Sequence, residues 1–379
     1  MSGTLDLKAL RRTLHAHPEL SGEEHGTAQR LTDVLRALGP DDLHTGLGGT
    51  GLLATFGTDA DGPQVLLRCE LDALPIQEVN TFAHRSSKDG VSHKCGHDGH
   101  MAILTGVAQR FAQDRPARGR VHLLYQPAEE NGAGAVAVLA DPRMQDRRFD
   151  LVLSLHNLPG YALGSVVVRK NAFTASVNSM MISMEGRTSH AAEPEHGINP
   201  ALAVAELLTG ALALQHNEPG AEDLRVVTVV HVDLGSKDYG ISAGRAEVHF
   251  TLRCWTDAAL QQLEQDVEAL ARQAADRHGL GIAIDQGFTF KANRNADAAV
   301  DLVSQAARST GNPLVVREHP FKWGEDFGLF TAKYHGCMFG LGAGEDMPAL
   351  HNPDYDFPDE LIPHGIELFR TAARSFLQD

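Results

Sequence analysis

Between residues 172 and 287 the periodicities read strand (Val177–Met184), helix (Pro200–Gln215), strand (Val226–Val232), strand (Glu247–Arg253), helix (Asp257–His278), strand (Gly281–Asp285). This β-α-β-β-α-β order is the ferredoxin-like motif, which can close a core of its own. Asn199 before Pro200 suits a helix start, and Gly279 suits a helix end. On both sides of this block, strand-like and helix-like segments alternate, which calls for an α/β layer structure. The reading is therefore an α/β domain made of residues 1–172 and 288–379, interrupted by an α+β domain at 173–287. At 379 residues the chain has the length for two such domains.

Within the larger domain, helical spacing runs over Leu5–His15, Glu23–Leu38 and Asp98–Phe111. Ser21 and Glu24 have the spacing of a capping box for the second helix. Gly51–Phe56, Gln64–Cys69, Val121–Tyr125 and Leu151–Leu155 read as strands, and helices are expected near Ala296–Arg308 and Asp359–Phe376.

Composition narrows the function class. With 33 basic and 49 acidic side chains the net charge is −16, which argues against a nucleic-acid backbone or an anionic membrane as partner. Four cysteines (Cys69, Cys95, Cys254, Cys337) are too few for a disulfide framework. The opening MSGTLDLKALRRTLHAHPEL has no apolar core of a signal peptide, and no apolar run approaches the ~20 residues of a membrane span. A cytoplasmic protein with thiols that are buried or chemically used is the expectation.

The chemistry-bearing residues fall at strand ends. Cys95-Gly96-His97-Asp98-Gly99-His100 opens a helix, and thiolate and imidazole suit zinc and related ions. Glu129 and Glu130 follow a buried strand, where one carboxylate can ligate a metal while its neighbour serves as general base. His156 and His351 follow other apolar runs. Glu70 and Asp72 end a further strand, and Glu325 and Asp326 stand before a helix, where simple dipole stabilisation would explain them. Each cluster alone has a structural explanation: a buried thiol, a solvated acidic turn, a satisfied histidine. Together, Cys95, His97, Glu130, His156 and His351 all lie on loops that converge on one edge of an α/β sheet.

These residues sit in segments that resemble the M20 family of metallopeptidases and amidohydrolases, in its hippurate hydrolase, N-acyl-amino-acid amidohydrolase and auxin-conjugate hydrolase branch. The resemblance spans nearly the whole chain: HAHPELSGEE (15–24), RCELDALPIQE (68–78), HKCGHDGHMA (93–102), YQPAEENGAGA (125–135), LHNLPG (155–160), GRTSHAAEPEHGINP (186–200), GEDFG (324–328) and LHNPDYDFPDE (350–360).

The resemblance implies a catalytic domain with a central mixed sheet and a dinuclear metal site, and an inserted ferredoxin-like lid that often dimerises. The implied ligands are Cys95, His97, Glu130, His156 and His351, for two divalent ions: Zn2+ or Mn2+, with Co2+ or Ni2+ as further candidates. Glu129 corresponds to the general base, and Asp72 to an aspartate supporting the ligands. His190 corresponds to a lid histidine that stabilises the tetrahedral intermediate, and Arg253 to an anchor for the substrate carboxylate. The implied substrate is a small N-acyl amino acid. A dipeptidase or aminopeptidase using the same site is the alternative, and a metal-stabilised binding protein a remoter one. A homodimer or tetramer through the lid is the implied assembly.

Two departures stand out. Cys69, Glu70 and Leu71 replace the branch's Ala, Asp and Met. The lid segment GSKDYGISAG (235–244) places Gly240 where the branch has a substrate-holding Asn, so the acyl specificity is open.

Overall fold

A computed structural model describes residues 5–218 and 220–378. In chain order the principal strands are β1 (Asp42–Leu47), β2 (Gly51–Phe56), β3 (Gln64–Glu70), β4 (Arg120–Gln126), β5 (Leu151–Pro159), β6 (Val166–Val168), β7 (Ser176–Glu185), β8 (Arg225–Leu234), β9 (Arg245–Cys254), β10 (Gly281–Phe290), β11 (Leu314–Val316) and β12 (Gly336–Gly344). Chain contacts divide these residues into two compact units. One comprises residues 1–173, 293–319 and 325–379; the other comprises 174–292 with 320–324.

The first unit is built on an eight-stranded mixed sheet in the order β1-β2-β4-β3-β5-β12-β6-β11. Its centre is parallel: β4, β3, β5 and β12 run the same way. Their residues are buried almost without interruption, as expected of strands covered on both faces. The helices His97–Gln113 and Leu361–Leu377 supply Met101, Ile103, Leu104, Ile366, Leu368 and Phe369 to the common core. The parallel direction brings the C-terminal ends of β3, β4 and β5 to one edge, where ligands bind in sheets of this kind.

The second unit is an antiparallel sheet in the order β8-β9-β7-β10, the ferredoxin-like arrangement. The helices Ala201–Ala213 and Asp257–His278 close its core through Leu207, Leu263 and Val267 against Met180, Ile182 and Phe250. No helix among the described residues is long and apolar enough to cross a membrane.

Several local expectations need correction. The Ser21–Glu24 capping box does not form. The helix starts at His25 with no side-chain cap. Ser21 donates instead to Asp72 (2.7 Å), and Glu24 accepts from Thr50 (2.7 Å) and from the Ala128 backbone (2.8 Å). The pair is spent on distant loops, which spacing along the chain cannot reveal. β5 runs on to Pro159, so His156 lies within the strand. β10 extends through a register shift between Gln286 and Thr289 to Phe290, past the expected boundary at 287.

His122 on β4 is buried, with Thr55 at 2.9 Å and Gln64 at 2.8 Å from its ring nitrogens. Burial, then Arg147 and Arg120, push its pKa down to about 3. The unfolded chain therefore takes up this proton first, so stability falls as pH drops from about 6.5 towards 3. The expected loss is about 3 kcal/mol by pH 4. Denaturant melts between pH 4 and 7 check this. A His122→Gln variant with an unchanged acid slope would refute it.

Candidate functional site

The edge at the ends of β3, β4 and β5 gathers the chemistry. Asp72 lies two residues past β3, Glu129 and Glu130 follow β4, and His156 lies on β5. Cys95 precedes the helix His97–Gln113, and His97 is its first residue. Gly96 turns the chain between them with φ 91°, and a Cβ there would lie 2.6 Å from the Asn157 amide. Two non-glycine residues at this edge are also left-handed, Ala128 (φ 50°) and His351 (φ 66°). Such backbone persists where surrounding contacts over-determine it. Glu24 holds the Ala128 N–H at 2.8 Å, and the Lys94 carbonyl holds the His351 N–H at 2.8 Å.

The five residues singled out by sequence come together. Ligand atoms of Cys95, His97 and His156 lie within 4.8 Å of one another, as do those of Cys95, Glu130 and His351. Cys95 is common to both groups. His97, Glu129 and Glu130 form a third group at the same spacing. Cys95 Sγ is 3.4 Å from His156 Nε2, and the two carboxylate oxygens of Glu130 are each 3.8 Å from an imidazole Nε2, of His97 and of His351. Asp72 supports this set from behind: its carbonyl accepts from His97 Nδ1 at 2.9 Å, and its carboxylate accepts the Glu130 N–H at 2.9 Å.

This arrangement fits a cation. His97 Nε2, Asp72 Oδ1 and Glu130 Oε1 are buried without a hydrogen-bond partner, although buried polar atoms are ordinarily paired. The charges carry the same message. Burial, followed by Glu325 and Glu130, drives the Glu129 carboxyl well above its usual range. Burial lifts Glu130 to about 7 against the opposing pull of His97. Burial, then Glu130 and Glu129, raises the Cys95 thiol. Burial and then His100 push His156 down to about 3, the neutral form that metals bind. For His97, burial is outweighed by Asp72, Glu70 and Glu130, which lift it to about 10. Thiolate, imidazole and carboxylate donors together suit zinc and its first-row neighbours.

A supporting layer was largely missed from sequence. Arg68 is fully buried on β3 among Glu70, Glu325 (3.0 Å), Asp326 and Gln126 (3.0 Å). Asp326 does not cap the helix that follows it. It accepts from Gln126 Nε2 at 2.7 Å and from the Ala135 N–H at 2.9 Å. His100 bridges Glu70 and Asn157, 2.6 Å from each. Its signal was present: His100 stands three residues after His97, on the same helix face. Nothing in the spacing marks Arg68 as the centre of a buried ion cluster.

His190 and Arg253 belong to the second unit. His190 is exposed on a two-residue strand paired with Ile241–Ser242, and its Nδ1 accepts from the Ala192 N–H at 3.0 Å. That acceptor role puts the proton of the neutral ring on Nε2. Arg253 is half-buried on β9 and donates to the Lys322 carbonyl at 2.9 Å. The Gly240 carbonyl accepts the Ala191 N–H at 2.9 Å, which ties its loop to the His190 strand.

The mixed α/β sheet gathers Cys95, His97, Glu130 and His156 at the C-terminal ends of its strands, and residues 66–375 match the family model for peptidase family M20/M25/M40. The chain belongs to this family. It is similar to the N-acetyl-L-cysteine deacetylase of Bacillus subtilis (30% identity, over 97% of this chain and 88% of that one). It is also similar to the hippurate hydrolase of Campylobacter jejuni (26%, over 98% of this chain and 97% of that one). Among solved structures it resembles the Bacillus subtilis YXEP protein, described as a dinuclear metal binding peptidase from the M20 family, with TM-score 0.83 and 27% identity over 98% of both chains. The protein is thus an amide-bond hydrolase of the M20 type.

Proposed function

We propose that this enzyme hydrolyses the amide bond of small N-acyl amino acids, releasing the free amino acid and a carboxylic acid. The observation that carries the reading is the convergence of Cys95, His97, Glu130, His156 and His351 beside the buried Glu129 carboxyl. The names of relatives that deacetylate N-acetyl-cysteine or hydrolyse hippurate support the substrate class.

Cys95, His97 and His156 would hold one divalent ion and Cys95, Glu130 and His351 a second, with Cys95 common to both. Ions there supply Lewis acidity to a carbonyl and lower the pKa of water. Glu129 takes a proton from the attacking water and later delivers it to the leaving nitrogen as the C–N bond breaks. Its carboxyl is buried and lies within reach of His97 and Glu130. Asp72 orients the His97 ring through its carbonyl. His190, with its proton on Nε2, donates to the developing oxyanion. Arg253 is the candidate anchor for the substrate carboxylate, with Gly240 leaving room where the branch carries a side chain.

A matched panel tests this: N-acetyl and N-benzoyl amino acids, dipeptides, and the same amides with capped carboxylates. Amine release is expected from free-carboxylate acyl amino acids, to stop in excess EDTA, and to return with zinc, manganese, cobalt or nickel, the best of which names the native ion. Preferential cleavage of dipeptides would replace the acyl reading with a peptidase one. Full activity in excess chelator would remove the metal mechanism.

The second unit is the proposed surface for dimerisation. β8 is an edge strand with Val230, Val232 and Leu234 exposed, and unpaired apolar edges invite a second strand. Light scattering is expected to give a dimer, and Val232→Lys to shift it to monomer. A monomeric native protein would refute the interface.

A further inference from the structure

At the far edge of the eight-stranded sheet, β6 and β11 run parallel, with Val166–Val168 in register with Leu314–Val316. The residue that follows each strand is an arginine, Arg169 and Arg317, and the Arg317 N–H donates to the Val168 carbonyl at 2.9 Å. Side chains in register on adjacent strands share a face and lie close together, and like charges so placed repel. Backbone carbonyls nonetheless hold both in position. Arg169 Nε donates to Glu318 O at 3.3 Å and Arg317 Nε to His319 O at 3.0 Å, while Arg317 Nη1 donates to the Tyr161 hydroxyl, so consecutive carbonyls and a tyrosine fix the two guanidiniums. Arg169 also donates to the carbonyls of Lys170 and Ala172, and no ion pair among the described residues brings it a carboxylate. Burial, then the neighbouring Arg317, hold Arg169 below the ordinary arginine range.

A cavity of about 620 Å³ opens over this pair, walled by the helix Asp297–Ser309. Lys170 and Arg308 add positive charge to the lining. Of the two acids there, Asp301 is engaged by Lys170 at 2.9 Å, which leaves Glu318. A surplus of cations is unusual in a chain of net charge −16. The rest of the lining is Ser304 and Gln305 together with four apolar residues, among them Leu314 and Val316, the latter 72% exposed. The volume falls in the roughly 300–1,000 Å³ range of small-molecule sites.

We propose that this cavity binds a small organic carboxylate, its oxygens taken by Arg169 and Arg317 and its apolar body lying against Leu314 and Val316. With Nε and Nη1 of both arginines engaged within the protein, the pair acts on a carboxylate through its combined positive charge, and the apolar residues select an organic anion over an inorganic one. No residue of this cavity belongs to the metal centre, so the site stands apart from the proposed hydrolysis.

Calorimetric titration of the full-length, metal-loaded protein with benzoate tests it, with sulfate as the inorganic comparator. Benzoate is expected to bind saturably below ~10 mM. Arg169→Gln and Val316→Glu are each expected to weaken that binding about tenfold or more while hydrolysis is unchanged. Val316 is exposed, so its variant folds even if the arginine variant does not. No saturable benzoate binding overturns the proposal. So does a benzoate affinity that Val316→Glu leaves intact, since the ligand then sits elsewhere. Sulfate binding as tight as benzoate overturns the selection of an organic anion.

Discussion

Glu129→Gln is expected to lower kcat by about 10²–10⁴-fold, the usual worth of a positioned general base, with KM and metal content nearly unchanged. The amide is close in size to the carboxyl but cannot accept the water proton. Glu129 is 6% exposed and surrounded by Glu130, Glu325 and Asp326, so the substitution also removes a repulsive charge. The variant should therefore melt no lower than the native enzyme. Steady-state kinetics, metal analysis and a thermal melt on one preparation separate the possibilities. Retained turnover would remove Glu129 from the chemistry. Lost turnover together with lost metal would make it a ligand rather than a base.

The second large effect is on stability. Arg68→Met should destabilise the protein by about 3–5 kcal/mol, because deleting one partner of a buried ion cluster strands the others. Arg68 is the cation contacted by Glu70, Glu325 and Asp326 within the core, with none of the four more than 1% exposed. Denaturant unfolding measures the loss. A change below about 1 kcal/mol would show that these acids are already protonated and need no cation. A Glu70→Gln change in the Arg68→Met background should recover part of the loss, since one uncompensated charge disappears.

The candidate ligand residues were legible because they lie on or beside apolar strands or at a helix start that meets them, and such loops in an α/β sheet converge on one edge. That rule reached Cys95, His97, Glu130, His156 and His351 without knowledge of their contacts. It did not reach Arg68 or the bridging role of His100, because a strand arginine looks the same in a sequence whether it points to solvent or into an ion cluster. The Ser21–Glu24 pair shows the opposite error. A local pattern suggested a bond between the pair and a helix end, but Ser21 bonds to Asp72, and Glu24, beside accepting the nearby Gly22 N–H, bonds to Thr50 and Ala128 in distant loops. Element order survived because periodicity is a local property; polar wiring did not, because it is set by tertiary neighbours. The ferredoxin-like insertion was readable for the first reason, down to Gly279 at the end of its long helix.

The strand order of the large sheet sets a schedule for synthesis. β12 lies in the middle of that sheet, between β5 and β6, yet it leaves the ribosome only after the whole stretch Thr174–Ala292. All four strands of the inserted unit are contiguous in the chain, so that unit has its sheet in hand while its host still lacks a central strand. Until then β5 has an open edge beside His156, and His351 has not been made. The nascent protein thus passes through a stage with four of the five proposed ligand residues translated and an unpaired parallel strand next to them. Chaperone binding and metal capture are both expected to be timed by the arrival of β12 and the segment carrying His351 rather than by the earlier motifs.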